Sequence, residues 1–334
     1  MYKLEESSIN EIKNYTFSGY LLSIDIGATK TLIRLSDYSF ETISEEEFST
    51  NVLTDKNNEE KFVPNLKDLI EKKIRYLKNV KIISISTAGA VNSLGEVIYS
   101  PNLGWKNYPL KKLSEKIFNK PVEVINDCNA GALAEKYMTP EVSNLMYITI
   151  SSGIGAGLIL KDELFEGENY SAAELGHLII KPYGEKCSCG RRGCVQAYAS
   201  GRSLAREYRK EFKSHSSLPE KELIIKAMEL YRKGDRKVIE ITKDAFSYLG
   251  EAIAYISGLL DISNFRLGGG ILKQSDVVVP IIQEWADEFS YKIANRKIIV
   301  KKAYSFPNSS IMGAEVIGKI RLYWRKYHEN KNEL

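Results

Sequence analysis

One stretch constrains this chain more than any other: Glu174–Gly201, reading ELGHLIIKPYGEKCSCGRRGCVQAYASG. His177 is followed by Cys187, Cys189 and Cys194, so three of the four cysteines fall within eight residues of one another. Gly190 and Gly193 let the backbone turn sharply enough to aim three sulfurs at one point. Three thiolates and one imidazole make a closed tetrahedral set, a structural zinc site with no position left for water. The competing arrangement is a disulfide plus a spare thiol. Cys187 and Cys189 are too close in sequence to bridge easily, and any pairing of three cysteines leaves one over. Zinc is therefore the expected occupant. A zinc-bound imidazole has one nitrogen on the metal, so its other nitrogen carries the proton and donates to a backbone carbonyl or to a ligand hydroxyl. Glu174 stands three residues before His177 and shares a face with it if that segment is helical.

Length and charge narrow the class. A chain of 334 residues suggests two domains or one large one. With 47 basic and 43 acidic residues the net charge is +4, too balanced to argue for nucleic acid or an anionic membrane as a partner. The N-terminal MYKLEESSINEIKNY is polar and acidic, unlike a secretory signal. The longest apolar run, residues 252–262, is short and interrupted by Gly258 and Asp261, so it cannot span a bilayer. Cysteines held on zinc fit a reducing compartment, and the expected location is the cytoplasm.

Residues 1–19 read as a short polar leader. The apolar run Tyr20–Ile24 ends at Asp25 and is followed by IGATKTLIRLSD, which predicts strand, Gly-containing turn and strand. Backbone N–H groups and the Thr29 hydroxyl of such a hairpin can cradle phosphate, and Asp25 can hold a metal ion; an ordinary β-turn gives the same pattern. A third strand ends near Ser49, and helical spacing of Phe62, Leu66, Leu69, Ile70, Ile74 and Leu77 predicts a helix over 59–79. The strand KIISIS (81–86) runs into TAGAVNSLGEV, whose Gly89 and Gly95 read as turns, and then into the loop SPNLGWKNYPL. A helix over 111–119 and a strand over 121–125 lead to Asn126-Asp127 and a further helix. A carboxylate between strand end and helix start is either an N-cap or a chemical group whose charge the helix terminus favours. Cys128 reads as a small core residue.

The strand 145–150 and SSGIGAGLILKDELFEGEN repeat the strand–hairpin–strand pattern, which suggests an internal duplication of one α/β unit. Helices are predicted over 202–212, 219–233 and 235–260, a strand over 262–267 ending in three glycines, a last strand over 298–304, and a closing helix over 310–325 before a polar, frayed tail.

ELGH, CSCGRRGC and AYASG together resemble the ROK family of sugar kinases and sugar-responsive repressors, and the likeness runs from Leu21 to about Gly318. The resemblance implies an actin-like ATPase (ribonuclease H-like) fold: two α/β domains from a duplicated unit with a ligand cleft between them. The expected small domain is 1–125 plus 310–334, and the expected large domain 126–309 carries the zinc loop. It also implies ATP and Mg²⁺ as cofactors beside structural Zn²⁺ held by His177, Cys187, Cys189 and Cys194, with Asp25, Gly27, Ala28, Thr29, Lys30, Ser152, Gly153, Gly155, Gly269 and Gly270 around the nucleotide. Gly89, Asn102, Asn126, Asp127, Glu174, His177 and Gln196 are implied on the sugar, with Asp127 as general base toward the 6-hydroxyl.

One position departs from the family. After the third cysteine the pattern C-x-E is replaced by Cys194-Val195-Gln196. The Glu normally contacts the sugar near C1 and C2, whereas Gln keeps the length, loses the charge and gains two donors. The expected activity is phosphoryl transfer from ATP to a hexose. The alternative is an N-acetylhexosamine kinase, whose acetamido group suits the amide of Gln196. A third reading is a sugar-responsive sensor related to the repressors but without a DNA-binding domain, since only 19 residues precede the first strand. A homodimer or homotetramer is the expected assembly.

Overall fold

Strand β1 (Tyr20–Ile26) is buried along nearly its whole length. A strand apolar on both faces must lie inside a covered sheet. It does: in the computed structural model it pairs antiparallel with β2 (Lys30–Ser36) on one side and parallel with β4 (Val80–Thr87) on the other. The structure describes residues 3–54, 59–212, 217–292 and 297–332. It divides into two units, one of residues 1–143, 161–172 and 308–334, the other of 144–160 and 173–307. The first division falls at Ser143, beyond the expected boundary at 125, because the helix after Asp127 packs within the first unit.

The first unit has a five-stranded sheet in the order β3–β2–β1–β4–β8, with β3 at Thr42–Ser49 and β8 at Val122–Asn126. Helices α2 (Phe62–Lys73), α3 (Leu110–Phe118) and α4 (Asp127–Met138) belong to it, with the two-residue β11 (Glu163–Leu164) and the closing α10 (Ser309–Asn332). Helix α10 lies against α4, β1 and β4. The approach is close: a Cβ on Gly313 would sit 1.9 Å from the Ala130 carbonyl oxygen.

Four expectations change here. The leader contains a helix, α1 (Glu6–Asn14), anchored by the buried Ile9 and Ile12; two apolar residues three apart suffice in an otherwise polar segment. The predicted helix over 59–79 is α2 flanked by short 3₁₀ turns, and it stops where Ile74 goes extended and Tyr76 takes a φ of 66°. The loop 88–108 is a three-stranded antiparallel sheet of β5 (Ala90–Val91), β6 (Val97–Ser100) and β7 (Trp105–Tyr108), pinned by Trp105 stacked 4.5 Å from Tyr108 and edge-on to Phe62. Finally, α10 continues to Asn332, past its expected end at residue 325, with Tyr323, Trp324, Tyr327 and His328 in ring contact along it.

The second unit repeats the plan. Its strands run β10–β9–β12–β13, where β9 (Leu145–Ile150) pairs antiparallel with β10 (Ile154–Leu160) and parallel with β12 (Asn264–Gly268), which pairs parallel with β13 (Ile299–Lys302). This matches β2–β1–β4–β8 in order and sense, as a duplicated unit requires. Helices α5 (Gln196–Ala199), α6 (Gly201–Glu211), α7 (Glu220–Arg232), α8 (Arg236–Leu260) and α9 (Ser275–Phe289) cover it around Phe246, Leu249, Ile253, Phe265 and Ile282. The apolar pattern of α9 is masked in the sequence by Pro280. Among the described residues, no helix is long and apolar enough to cross a membrane.

Candidate functional site

In the first unit, two carboxylates stand at the ends of parallel strands. Asp25 lies in β1, level with Ser86 of β4, whose Oγ donates to Asp25 Oδ1 at 2.8 Å. Asp127 follows β8 as the first residue of α4. Burial raises the Asp25 carboxyl to about 7, the nearby Asp127 charge adds to this, and Ser86 opposes it. Burial also raises Asp127, opposed by the Cys128 thiol and N–H and by the Asn126 amide. Two buried carboxyls held above their ordinary range can serve as a proton acceptor or as a holder of a cation.

Asp127 is not the helix cap. Asn126 is: its Oδ1 accepts from the N–H groups of Cys128 and Asn129 at 2.9 and 3.0 Å. Asn126 Nδ2 donates to the Gly89 carbonyl at 2.9 Å and to Asp127 Oδ1 at 3.0 Å. This side chain therefore ties the turn at Gly89 to the carboxylate. Gly89 has a φ of 114°, and a Cβ there would strike Tyr99 and Ser100. Asn102 is exposed in the turn between β6 and β7. In the β1–β2 hairpin, Gly27 N–H donates to the Lys30 carbonyl at 2.9 Å, while Ala28, Thr29 and Lys30 are exposed. The Lys30 ammonium pairs with Glu47; an exposed pair of this kind is worth about 1 kcal/mol or less.

In the second unit, the donor atoms of His177, Cys187, Cys189 and Cys194 all lie within 4.8 Å of one another. Cys189 and Cys194 sulfurs are 3.7 Å apart, and Cys187 Sγ is 3.8 Å from His177 Nδ1. Tetrahedral zinc with bonds of about 2.3 Å to sulfur and 2.0 Å to nitrogen demands separations of about 3.5–3.8 Å. The sulfurs are too far apart for a disulfide, and the donor set fits zinc. Nδ1 is the ring nitrogen within 3.8 Å of Cys187 Sγ, so a metal held there would leave Nε2 free. Burial raises Cys194 to about 12, and the neighbouring Cys187 and Cys189 add to it. Burial also acts upward on Cys189, but the N–H and guanidinium of Arg191 outweigh it and draw the thiol down to about 6. Gly193 makes the loop possible: its φ is 83°, and a Cβ would lie 1.9 Å from the Lys181 carbonyl. Glu174 is exposed and immediately precedes the 3₁₀ turn Leu175–His177.

The β9–β10 hairpin is where the second unit's candidates meet. Gly201 N–H donates to Ser151 O at 2.7 Å, a Cβ on Gly176 would meet Ile154 O at 2.1 Å, and one on Gly269 would meet the Ile150 backbone at 2.5 Å. Ser152 is exposed at the tip, Gly153 and Gly155 flank Ile154, and Gly270 opens onto free space. Gln196 joins this hairpin to the zinc loop. Its Oε1 accepts from Ile154 N–H at 3.3 Å, and its Nε2 donates to Cys187 Sγ and Ser188 Oγ, both at 3.2 Å. Ser86, Ile154 and Ser188 were not singled out from sequence. Only Ser86 left a trace, as a polar residue at the end of an apolar strand.

A profile described as "ROK family" matches residues 21–320. The xylose repressor of Caldicellulosiruptor bescii is 38% identical over 193 residues, 56% of this chain and 48% of the repressor, so the chain spans about half the length of that relative. The N-acetylmannosamine kinase of Haemophilus influenzae is 30% identical over 62% of this chain and 68% of its own. Among solved structures, a ROK family glucokinase from Streptomyces griseus in complex with glucose and AMPPNP superposes with a TM-score of 0.74 at 25% identity, covering 90% of this chain and all of that one.

Proposed function

This chain belongs to the ROK family, with the actin-like ATPase fold, and on that premise we propose that it is an ATP-dependent sugar kinase acting on the 6-hydroxyl of a hexose. The observation that carries the reading is the Asp25–Asp127 pair. A binding protein needs only hydrogen bonds to a sugar. It has no use for two raised carboxyls at the ends of parallel strands, which cost stability at neutral pH. In this reading Asp127 takes the proton of the attacking hydroxyl, and Asn126 and the Cys128 N–H hold its carboxylate in place. Asp25, steadied by Ser86, faces the cation side. Bound MgATP would supply the phosphoryl group, and its Mg²⁺ the positive charge that favours the ionised form of Asp25. The hairpins at Gly27–Lys30 and Ser152–Gly155, with Gly269 and Gly270, offer backbone N–H groups and open approaches to phosphate and nucleotide. Glu174, His177 Nε2, Gly89 and Asn102 supply the mixed donors and acceptors that sugar hydroxyls need.

The N-acetylhexosamine alternative rested on a free amide at Gln196. That amide is engaged on both ends within the protein, so it gives no support to an acetamido group over a hydroxyl. The likeness to a xylose repressor keeps a sensor as the second reading. The deciding experiment is ADP release from MgATP with a panel of hexoses, xylose and N-acetylhexosamines. Turnover on a hexose supports the kinase; saturable sugar binding without turnover on any of them supports the sensor.

A further inference from the structure

The geometry points to Gln196 as a positioning residue that couples zinc occupancy to the shape of the β9–β10 hairpin, and not as a reader of the sugar. Its amide orientation is settled by its partners. Ile154 offers an N–H, so the atom facing it must be the carbonyl Oε1, at 3.3 Å. The NH₂ group then faces Cys187 Sγ and Ser188 Oγ, both acceptors, at 3.2 Å. One rigid carboxamide thus spans from a zinc-ligand sulfur to the backbone of the hairpin that the kinase reading assigns to phosphate. That last assignment rests on the proposed function; the span itself does not.

Glu in this conformation could not make the contacts that Gln196 makes to Cys187 and Ser188. Three thiolates, a neutral imidazole and Zn²⁺ sum to a net charge of −1. A carboxylate would bring its second oxygen against a sulfur of that anionic cluster with no proton to donate, whereas Gln donates an N–H to the sulfur and steadies it. Partners that hydrogen-bond to metal ligands typically change metal affinity 10–100-fold when removed. The hairpin has little slack on this side, because a Cβ on Gly153 would already lie 3.1 Å from Gln196 Oε1. When zinc leaves and Cys187 relaxes, the amide loses one anchor and Ile154 N–H loses a fixed acceptor.

The test uses the full zinc-loaded chain and the variants Gln196→Glu and Gln196→Met; the second is uncharged and isosteric, in case the first folds poorly. Three quantities are read: the rate of zinc release to a chromogenic chelator, the amide exchange of the hairpin at Ile154, and the affinity for AMPPNP with Mg²⁺ and for glucose. Both variants are expected to release zinc at least about tenfold faster. They also exchange the Ile154 amide faster and bind the nucleotide several-fold more weakly. Removing zinc from the unaltered chain reproduces the last two changes. Zinc release within twofold of the unaltered chain in both variants overturns the proposal, as does faster release with unchanged Ile154 exchange. A change confined to glucose affinity also overturns it, by making Gln196 a sugar contact. If the unaltered chain binds no nucleotide, the kinase reading fails, while zinc release and amide exchange still decide the coupling.

Discussion

At the scale of single residues, the carboxyl pair carries the strongest consequences. Asp127→Asn keeps the size and both local hydrogen-bond partners but cannot take a proton. Turnover is expected to fall about 10²–10⁴-fold, with sugar and nucleotide affinities within a few-fold of the original. A loss of less than tenfold in kcat would remove Asp127 from its role. Asp25 makes the opposite kind of prediction, about stability. Its folded carboxyl titrates near 7, above the unfolded value of about 4. The folded chain therefore binds more protons than the unfolded chain between those values. The stabilising contribution of the protonated carboxyl is complete below about pH 4 and is lost as the pH rises through about 7. Asp25→Asn removes a buried charge that is unfavourable above that window. The ligand-free variant should be more stable than the original at pH 8 by on the order of a few kcal/mol, with a correspondingly higher melting temperature, and the difference should shrink toward pH 4. It should also lose Mg²⁺-dependent turnover. Equal melting shifts at the two pH values would contradict this account.

At the scale of elements, two helices show how a local sequence is overruled by what packs on it. Helix α10 meets α4 through Gly313, where an added methyl carbon would collide with backbone and not with a movable side chain. Gly313→Ala should cost about 3 kcal/mol or more, since overpacking that cannot be relieved by a rotamer forces the helices apart. Urea unfolding reads this directly, and a midpoint within error of the original would show that the contact yields. The element boundaries misread from sequence have the same origin. In α1, Ile9 and Ile12 look like two apolar residues in a polar leader until the surface that buries them is known. The sheet β5–β7 hides inside a run of turn residues, because Trp105 makes it a structure only by stacking on Tyr108 and meeting Phe62 from another element. The zinc loop behaves differently. Gly190 and Gly193, both at positive φ, and the four ligands all lie within 18 residues of chain, so its geometry is local and was legible at once.

At the scale of the molecule, two units each have their own hydrophobic core, around Ile24, Ile83 and Leu66 in the first and around Phe246, Phe265 and Ile282 in the second. All four zinc donors belong to the second. Elemental analysis should find one zinc per chain in protein purified without chelator, and calorimetry should show unfolding broader than a single two-state transition. Stripping the metal should lower the transition of the second unit by several degrees and leave that of the first in place. A uniform shift of one sharp transition would mean that the units unfold as one. The sequence by itself determined the cluster of His177, Cys187, Cys189 and Cys194 and the duplicated strand–hairpin–strand plan, because each depends on residue type at short spacing, whereas Asp127 as a base came from the family resemblance. Only the tertiary structure decided that Asn126 ties the Gly89 turn to the Asp127 carboxylate, that the Asp127 charge raises the cost of ionising Asp25, and that Gln196 is held at both ends. Those facts depend on the dielectric and on partners brought from 37 to 102 positions away in the chain, from Gly89 for Asn126, Ile154 for Gln196 and Asp127 for Asp25. Burial and charge at such distances have no signature in local spacing.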